Sequence, residues 1–223
     1  WTTTTQGFNY AQWTLLQSLA DSYGDRIVVR LWENAVTYDG FETMSRTLSA
    51  VGTTIPDALQ RWRVQNFARA YDLAPRFTRS VALAGTINRN GAWSPRGRIQ
   101  QLGANYVAVR LQGSRNYALR GDANLELVAL GKRNGQIEVI QLGRSGVFDA
   151  TGYEYAALMV FNRAVPATPG ACTGVSYSIN VSAAQGPGNH ASRAREQKPK
   201  HEKKTKTKRR AARQSRCAHP SRS

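Results

Sequence analysis

Apolar residues recur at every third or fourth position over residues 8–71, a spacing typical of amphipathic helices. The pattern breaks near Gly24, Asp39 and Gly52, so four helices with short connections are predicted. In the second helix, one stripe is predicted to face the core: Ile27, Val28, Leu31, Trp32 and Ala35. Aromatic residues keep the same spacing, which predicts core positions for Trp13, Tyr23, Trp32, Phe41, Trp62, Phe67 and Tyr71.

Polar residues mark where these helices should begin. Asp25 is predicted to cap the second helix, because its carboxylate can accept a bond from a free amide at the helix start. Asp39 and Glu42 have the spacing of a capping box for the third helix. Thr54 or Asp57 should cap the fourth helix, around a proline in its first turn.

After Pro75 the pattern changes to short runs rich in Val, Ile, Leu and Tyr, separated by Gly, Asn, Asp and Ser. The predicted strands are 106–111, 125–130, 136–142, 153–165 and 175–181, with a less regular start between 81 and 101. Strands at this interval predict a sandwich or jelly roll, with a hairpin loop at 132–135. A parallel α/β sheet is not expected, since no helix-length insert separates the strands.

The last part of the chain differs in composition from the rest. Residues 185–223 have no apolar periodicity and mix Gly, Pro, Ser and Lys, which predicts disorder. The predicted fold class is therefore α+β: an N-terminal antiparallel bundle of about four helices, an all-β sandwich or jelly-roll-like domain, and a disordered basic tail. The predicted boundaries are 1–75, 76–182 and 183–223.

Charge is concentrated in that tail. The chain has a net charge of +17, and residues 183–223 contain 13 Lys and Arg against 2 acids, which leaves +6 for residues 1–182. Such a tail can bind nucleic acid or another polyanion through phosphate-like charge. The residues predicted for this role are Lys198, Lys200, Lys203, Lys204, Lys206, Lys208, Arg209, Arg210 and Arg213. The stretch contains no aromatic residue for base stacking, so nucleic acid is a weaker expectation than a solvated extension.

The positions of the histidines exclude several reaction types. All three, His190, His201 and His219, belong to the tail, so residues 1–182 cannot assemble a Ser-His-Asp triad or an H-E-x-x-H zinc motif. No nucleotide or calcium motif is present either. We therefore predict no catalytic, cofactor-binding or metal-binding residue in this chain. A disulfide between Cys172 and Cys217 stays open but would restrain little, because one partner lies in the tail.

Two other functions remain open on the residues alone. Twelve acids in residues 1–182 could include a glycosidase pair, although most have capping or surface explanations. The long β segment carries Tyr153, Tyr155, Asn162 and Arg163, which could line a glycan-contacting face. Ordinary strand alternation explains the same pattern equally well.

The helical segment resembles part of a known protein group. It reads FNYAQWTLLQSLADSYGDRIVVRLWENA and then YDGFETMSRTLSAVGTTIPDALQRWRVQNFARAYDL, and the β segment contains YAALMVFNRAV followed by SYSINVS. In this order the chain is similar to secreted bacterial gluzincin-like zinc metallopeptidases, over about residues 7–182. There the helices follow the zinc-binding catalytic region and precede a β domain. None of that group's zinc ligands or its general base has a matching position here.

The resemblance implies a noncatalytic C-terminal portion of a secreted metallopeptidase-like protein, in which helices and β-sandwich support a catalytic region upstream. The chain opens at Trp1 with neither Met nor a signal peptide, so we expect a missing N-terminal region that would hold the zinc and act as a partner. The alternative is an extracellular cell-surface module that binds a glycan or a protein and has no enzymatic parent. No run of about 18 apolar residues predicts a membrane span.

Overall fold

The computed structural model describes residues 8–70, 81–167 and 173–184. Four helices form the first part, as predicted from the apolar spacing: α1 (Phe8–Tyr23), α2 (Arg26–Ala35), α3 (Gly40–Ser49) and α4 (Ile55–Ala68). Helices α1 and α4 pack together, as do α1 with α2 and α2 with α3. The short connections thus bring consecutive helices into contact.

Only one of the predicted capping interactions forms as expected. Thr54 accepts a hydrogen bond from the backbone N–H of Asp57 at 3.3 Å, with the proline in the first turn of α4. Asp25 and Asp39 occupy the cap positions of α2 and α3 but make no side-chain cap bond, so the capping box is wrong. Glu42 instead pairs with Arg46 at 2.9 Å, one helical turn further along.

The second part is built from strands, which confirms the α+β class. The strands are β1 (Leu83–Ile87), β2 (Gly91–Trp93), β3 (Ile99–Gln100), β4 (Ala104–Val109), β5 (Ser114–Gly121), β6 (Leu125–Arg133), β7 (Gln136–Gly143), β8 (Ser145–Asp149), β9 (Tyr155–Asn162), β10 (Gly174–Val175) and β11 (Tyr177–Ala183). Two of these, β5 and β8, were not expected from the apolar pattern. Asn134 and Gly135 form the β6–β7 hairpin turn, both with positive φ, as a type I′ turn requires.

The strands form two main sheets. The five-stranded sheet has the order β1-β4-β9-β6-β7 and the four-stranded sheet the order β2-β11-β5-β8, while β3 and β10 form a separate pair. All pairings are antiparallel except β1 with β4, which run parallel. That parallel pair needs no crossover helix, because the chain between the two strands passes through β2 and β3.

One hydrophobic core lies between the two sheets. It takes inward side chains from the five-stranded sheet, such as Val107, Leu127 and Leu158, and from the four-stranded sheet, such as Tyr117 and Ile179. All five are at most marginally exposed. This core accounts for the sandwich.

A second core lies between the helices and the other face of the five-stranded sheet. Leu19, Leu48 and Leu59 from the helices join Met159 and Phe161 from β9 in one buried cluster. The molecule thus has three layers: helices, five-stranded sheet and four-stranded sheet. Strand β9 is buried on both faces, which explains its unbroken apolar run.

The stripe predicted for α2 faces the core only in part, and its half-buried Val28 packs against the cluster beneath the helices. Ile27 is its one buried residue, whereas Trp32 is 66% exposed and the unpredicted pair Val29 and Val36 are also exposed. Trp13 of α1 is 40% exposed. The core assignment was therefore wrong for both tryptophans, while Trp62 is buried as expected.

The described residues all belong to one compact unit. The predicted boundary between helices and sandwich falls within 71–80, outside the described residues, as do Tyr71 and the tail 185–223. The second core joins the helices to the five-stranded sheet, because it contains buried side chains of both. Among the described helices, none is long and apolar enough to cross a membrane.

Candidate binding site

The sequence-predicted site residues lie outside the described part of the chain. All of the tail lysines and arginines proposed for polyanion binding belong to residues 185–223, and so does Cys217, while Cys172 falls in the undescribed segment 168–172. Polyanion binding by the tail stays a prediction. Within residues 8–70, 81–167 and 173–184, no three His, Cys, Asp or Glu side chains come together as a metal site.

Two carboxylates, those of Asp57 and Glu126, are brought together by one arginine. Arg163 contacts Asp57 of α4 at 2.6 Å and Glu126 of β6 at 3.1 Å, and Gln60 also donates to Glu126. The pKa of Asp57 is lowered, chiefly by the hydrogen bond from Thr54 and further by Arg163. A general acid needs a raised pKa, which Asp57 does not have. The contacts of Arg163 join helix α4 to strand β6.

The glycan-contacting face considered for the long β segment does not form. Asn162 is 1% exposed, and Arg163 is held by its two carboxylates. Tyr155 packs on Phe67 of α4 with ring centroids 5.7 Å apart, inside the helix–sheet contact. Tyr153 packs against the core between the sheets. These four side chains therefore point to different parts of the molecule and share no surface.

A pocket opens instead at one end of the sandwich, where β1, β2 and β4 meet the loop 94–98. It has a volume of about 430 Å³. The lining residues are mixed in character, and include a tryptophan, two arginines and an asparagine: Ala84, Trp93, Ser94, Pro95, Arg96, Gly97, Arg98 and Asn105. Small-molecule sites commonly combine an apolar wall with a few placed polar groups in this size range.

Trp93 is fixed by its neighbours on both sides. It pairs with Ile179 of β11, and its ring lies 6.4 Å from that of Tyr177. A Cβ at Gly85 would come within 2.8 Å of the indole Cζ2 atom, so the indole requires the bare backbone there. The pocket thus has a preformed aromatic wall.

Asn105 is also held in place. Its amide nitrogen donates a hydrogen bond to the hydroxyl of Tyr177 at 3.0 Å. Tyr177 is buried, and this burial raises its pKa, so the hydroxyl stays neutral near pH 7. The amide that lines the pocket is therefore oriented by the core beneath it.

The loop carrying the two arginines is anchored at both ends. Trp93 belongs to β2, and Ile99, which follows Arg98, is 2% exposed and pairs with Val175 of β10. A Cβ at Gly174 would lie 3.0 Å from the Cβ of Arg98, so the close approach of β10 depends on that glycine. Pro95 further restricts the loop backbone.

Sequence reasoning missed this site. Its residues are contiguous except for two, in the segment WSPRGR, but no apolar period marks them. One signal was available: residues 81–121 contain six arginines and no Asp or Glu. The net charge of residues 1–182 taken together does not reveal this local excess of arginine.

No protein-family model matches the chain, and no curated protein matches it. Among solved structures, it is similar to the periplasmic inhibitor of g-type lysozyme PliG from Aeromonas hydrophila, at 12% identity and a TM-score of 0.33, over 45% of this chain and 96% of that one. The Salmonella Typhimurium PliG gives 11% and 0.34, over 45% and 100%. A mutant of the Escherichia coli PliG gives 11% and 0.35, over 46% and 100%. Likeness at this level identifies no shared function.

Proposed function

We propose that this chain is a noncatalytic binding module of an extracellular or cell-surface protein, and that it binds a glycan in the pocket of Trp93 and Asn105. The observation that carries the proposal is the pocket itself, in which a fixed indole lies beside an oriented amide. Aromatic rings pack against the apolar faces of sugars, and amides pair with hydroxyls.

The test is a titration of the full chain with short saccharides, followed by the indole N–H signals in NMR spectra. We expect the Trp93 signal to shift on binding and Trp93→Leu to weaken affinity by about tenfold, the usual scale for loss of one anchoring aromatic. The matched control is Trp32→Leu, which changes an exposed tryptophan on α2. Equal weakening by both substitutions, or no saccharide binding at all, would reject the proposal.

A second function is favoured by the exposed side of α2. Val29 and Trp32 of α2, and Val36 directly after the helix, present apolar side chains to solvent. Such a face suits the supporting role implied by the resemblance to metallopeptidases, in which this helical layer packs on a catalytic region of a longer protein. Sequencing the gene through both ends of this segment tests it. An in-frame H-E-x-x-H helix upstream supports that role, and an upstream region without zinc ligands removes it.

A further inference from the structure

Arg96 and Arg98 stand without an anionic partner. Neither is ion-paired to any of residues 8–70, 81–167 or 173–184. Both are exposed and line the same pocket. Elsewhere in the described chain, Arg46 and Arg163 pair with carboxylates of the protein. Arg96 and Arg98 therefore bring two positive charges to the pocket lining, and no carboxylate of the described residues pairs with either.

The surroundings strengthen this positive charge. Residues 81–121, which supply β1 to β5, contain no acid, and neither do residues 173–184 of β10 and β11. Charges of one sign on a concave surface raise the local concentration of oppositely charged ligands. A neutral sugar would gain nothing from this field, whereas an acidic sugar would.

The two arginines lie close together on one loop of the pocket lining. They are separated by Gly97 alone, and the loop is anchored by Trp93 and Ile99. Guanidinium groups form paired, charge-assisted hydrogen bonds with carboxylates and sulfates. Because the loop is already fixed, little conformational freedom is lost when such a ligand binds.

We infer that the pocket selects a saccharide carrying an acidic group, carboxylate or sulfate, which Arg96 and Arg98 bind while Trp93 and Asn105 contact the sugar ring. The inference rests on the proposed glycan-binding function and specifies its ligand class.

The experiment uses the full chain and four probes: digalacturonate, its methyl ester, a sulfated disaccharide, and a short peptide of glutamates. Binding is followed by calorimetry and by the Trp93 indole signal. The variant is Arg96→Gln with Arg98→Gln. The matched control is Arg89→Gln, an exposed arginine of the same acid-free stretch at the opposite end of β2.

We expect an acidic disaccharide to bind, the methyl ester to bind at least about tenfold more weakly, and the double variant to lose the same factor while Arg89→Gln does not. The digalacturonate and sulfated probes decide which acidic group is preferred. Suppose that the double variant binds every sugar with native affinity while Trp93→Leu binds more weakly. The pocket then binds glycans, and the inferred selectivity for acidic sugars is wrong. If the glutamate peptide binds at the indole and no sugar does, both proposals fail.

Discussion

At the scale of single residues, the sandwich depends on one glycine beneath an aromatic ring. Gly131 of β6 is buried, and a Cβ there would lie 2.6 Å from Cδ1 of Tyr153. That ring is held from the other side by Phe148, with centroids 5.6 Å apart, and by the Arg133 guanidinium at 4.5 Å. The ring therefore has little room to move away from an added methyl group.

We expect Gly131→Ala to lower the free energy of unfolding by about 1–3 kcal/mol, because overpacking a filled site forces neighbours out of position. Urea denaturation followed by circular dichroism measures the loss. Gly97→Ala is the control, since no atom lies within 4 Å of its added Cβ. A loss no larger than that of the control would show that Tyr153 moves freely.

Removing one buried hydroxyl is expected to leave the fold as stable or make it more stable. Tyr117 is 0% exposed, its hydroxyl has no hydrogen-bond partner among the described residues, and burial raises its pKa to about 12. Removing an unpaired buried polar atom relieves its desolvation cost. Tyr117→Phe should therefore leave the free energy of unfolding unchanged or raise it by up to about 2 kcal/mol. The melting temperature should accordingly stay the same or rise. A clear drop in melting temperature would reveal a partner for that hydroxyl.

At the scale of elements, one arginine organises the turn between β5 and β6. The Arg144 guanidinium donates to the carbonyl oxygens of Gly121 at 3.1 Å and Leu125 at 3.2 Å, and it also contacts those of Leu119 and Asp122. Its own carbonyl accepts from the N–H of Leu119 at 2.8 Å. This side chain thus joins the two sheets at that end.

We expect Arg144→Ala to cost about 1–3 kcal/mol, because several carbonyl groups lose a charged donor. Arg144→Lys should cost less, since an ammonium group can still satisfy part of the set. Arg120→Ala, at an exposed position of the same turn region, is the comparison. Equal unfolding midpoints for Arg144→Ala and Arg120→Ala in urea would mean that water replaces the guanidinium at no cost.

The link between α4 and the sheet gives a pH dependence. The pKa of Asp57 is lowered in the folded chain, so its ionised form stabilises the fold above the unfolded pKa and this contribution is lost as pH falls through the folded pKa. The side chain is 44% exposed, and solvent screening keeps the effect to about 1 kcal/mol or less.

Asp57→Asn should remove this contribution at neutral pH and flatten the fall in stability between about pH 5 and about pH 3. Urea midpoints across that range give the measurement. Asp25→Asn is the control, because Asp25 makes no side-chain cap bond. If the stability of Asp57→Asn falls with pH as steeply as that of the native chain, other carboxylates cause the acid sensitivity.

Some of these elements were predictable from the sequence and others were not. The helices were predictable because their apolar residues recur at helical spacing, and strand β9 because it is a continuous apolar run. Strands β5 and β8 were not, since one of their faces is solvent-exposed and carries small polar residues, such as Ser114 and Ser145. The exposure of Trp32 was not predicted, because Trp32 continues the apolar stripe of Ile27 and Val28 that does face the core. The pocket was missed because loop residues carry no period.

At the scale of the whole molecule, strand β9 contributes side chains to both hydrophobic cores. Met159 and Phe161 of β9 are fully buried and contribute to the cluster beneath the helices. Leu158 and Val160 of the same strand contribute to the cluster between the sheets. Displacing the helices would expose one complete face of the five-stranded sheet to water.

The helices and the sandwich should therefore unfold together. We expect one variant that keeps only Trp62 and another that keeps only Trp93 to show coincident urea transitions by fluorescence. Met159→Ala should shift both transitions equally, by about 2–4 kcal/mol. A helical reporter that unfolds at lower urea than the sandwich reporter would show two independent folding units.

The position of β11 has a consequence for synthesis on the ribosome. This strand, Tyr177–Ala183, lies between β2 and β5 and is hydrogen-bonded to both. Among the described strands β2 pairs with β11 alone, so that pairing cannot form until the chain has been made almost to residue 184. The nascent protein must hold an incomplete sandwich, with Trp93 and the inner faces uncovered, until its last strand inserts. Folding is thus delayed to the end of translation of this unit, and chains cut short before β11 are expected to be substrates for chaperones and proteases.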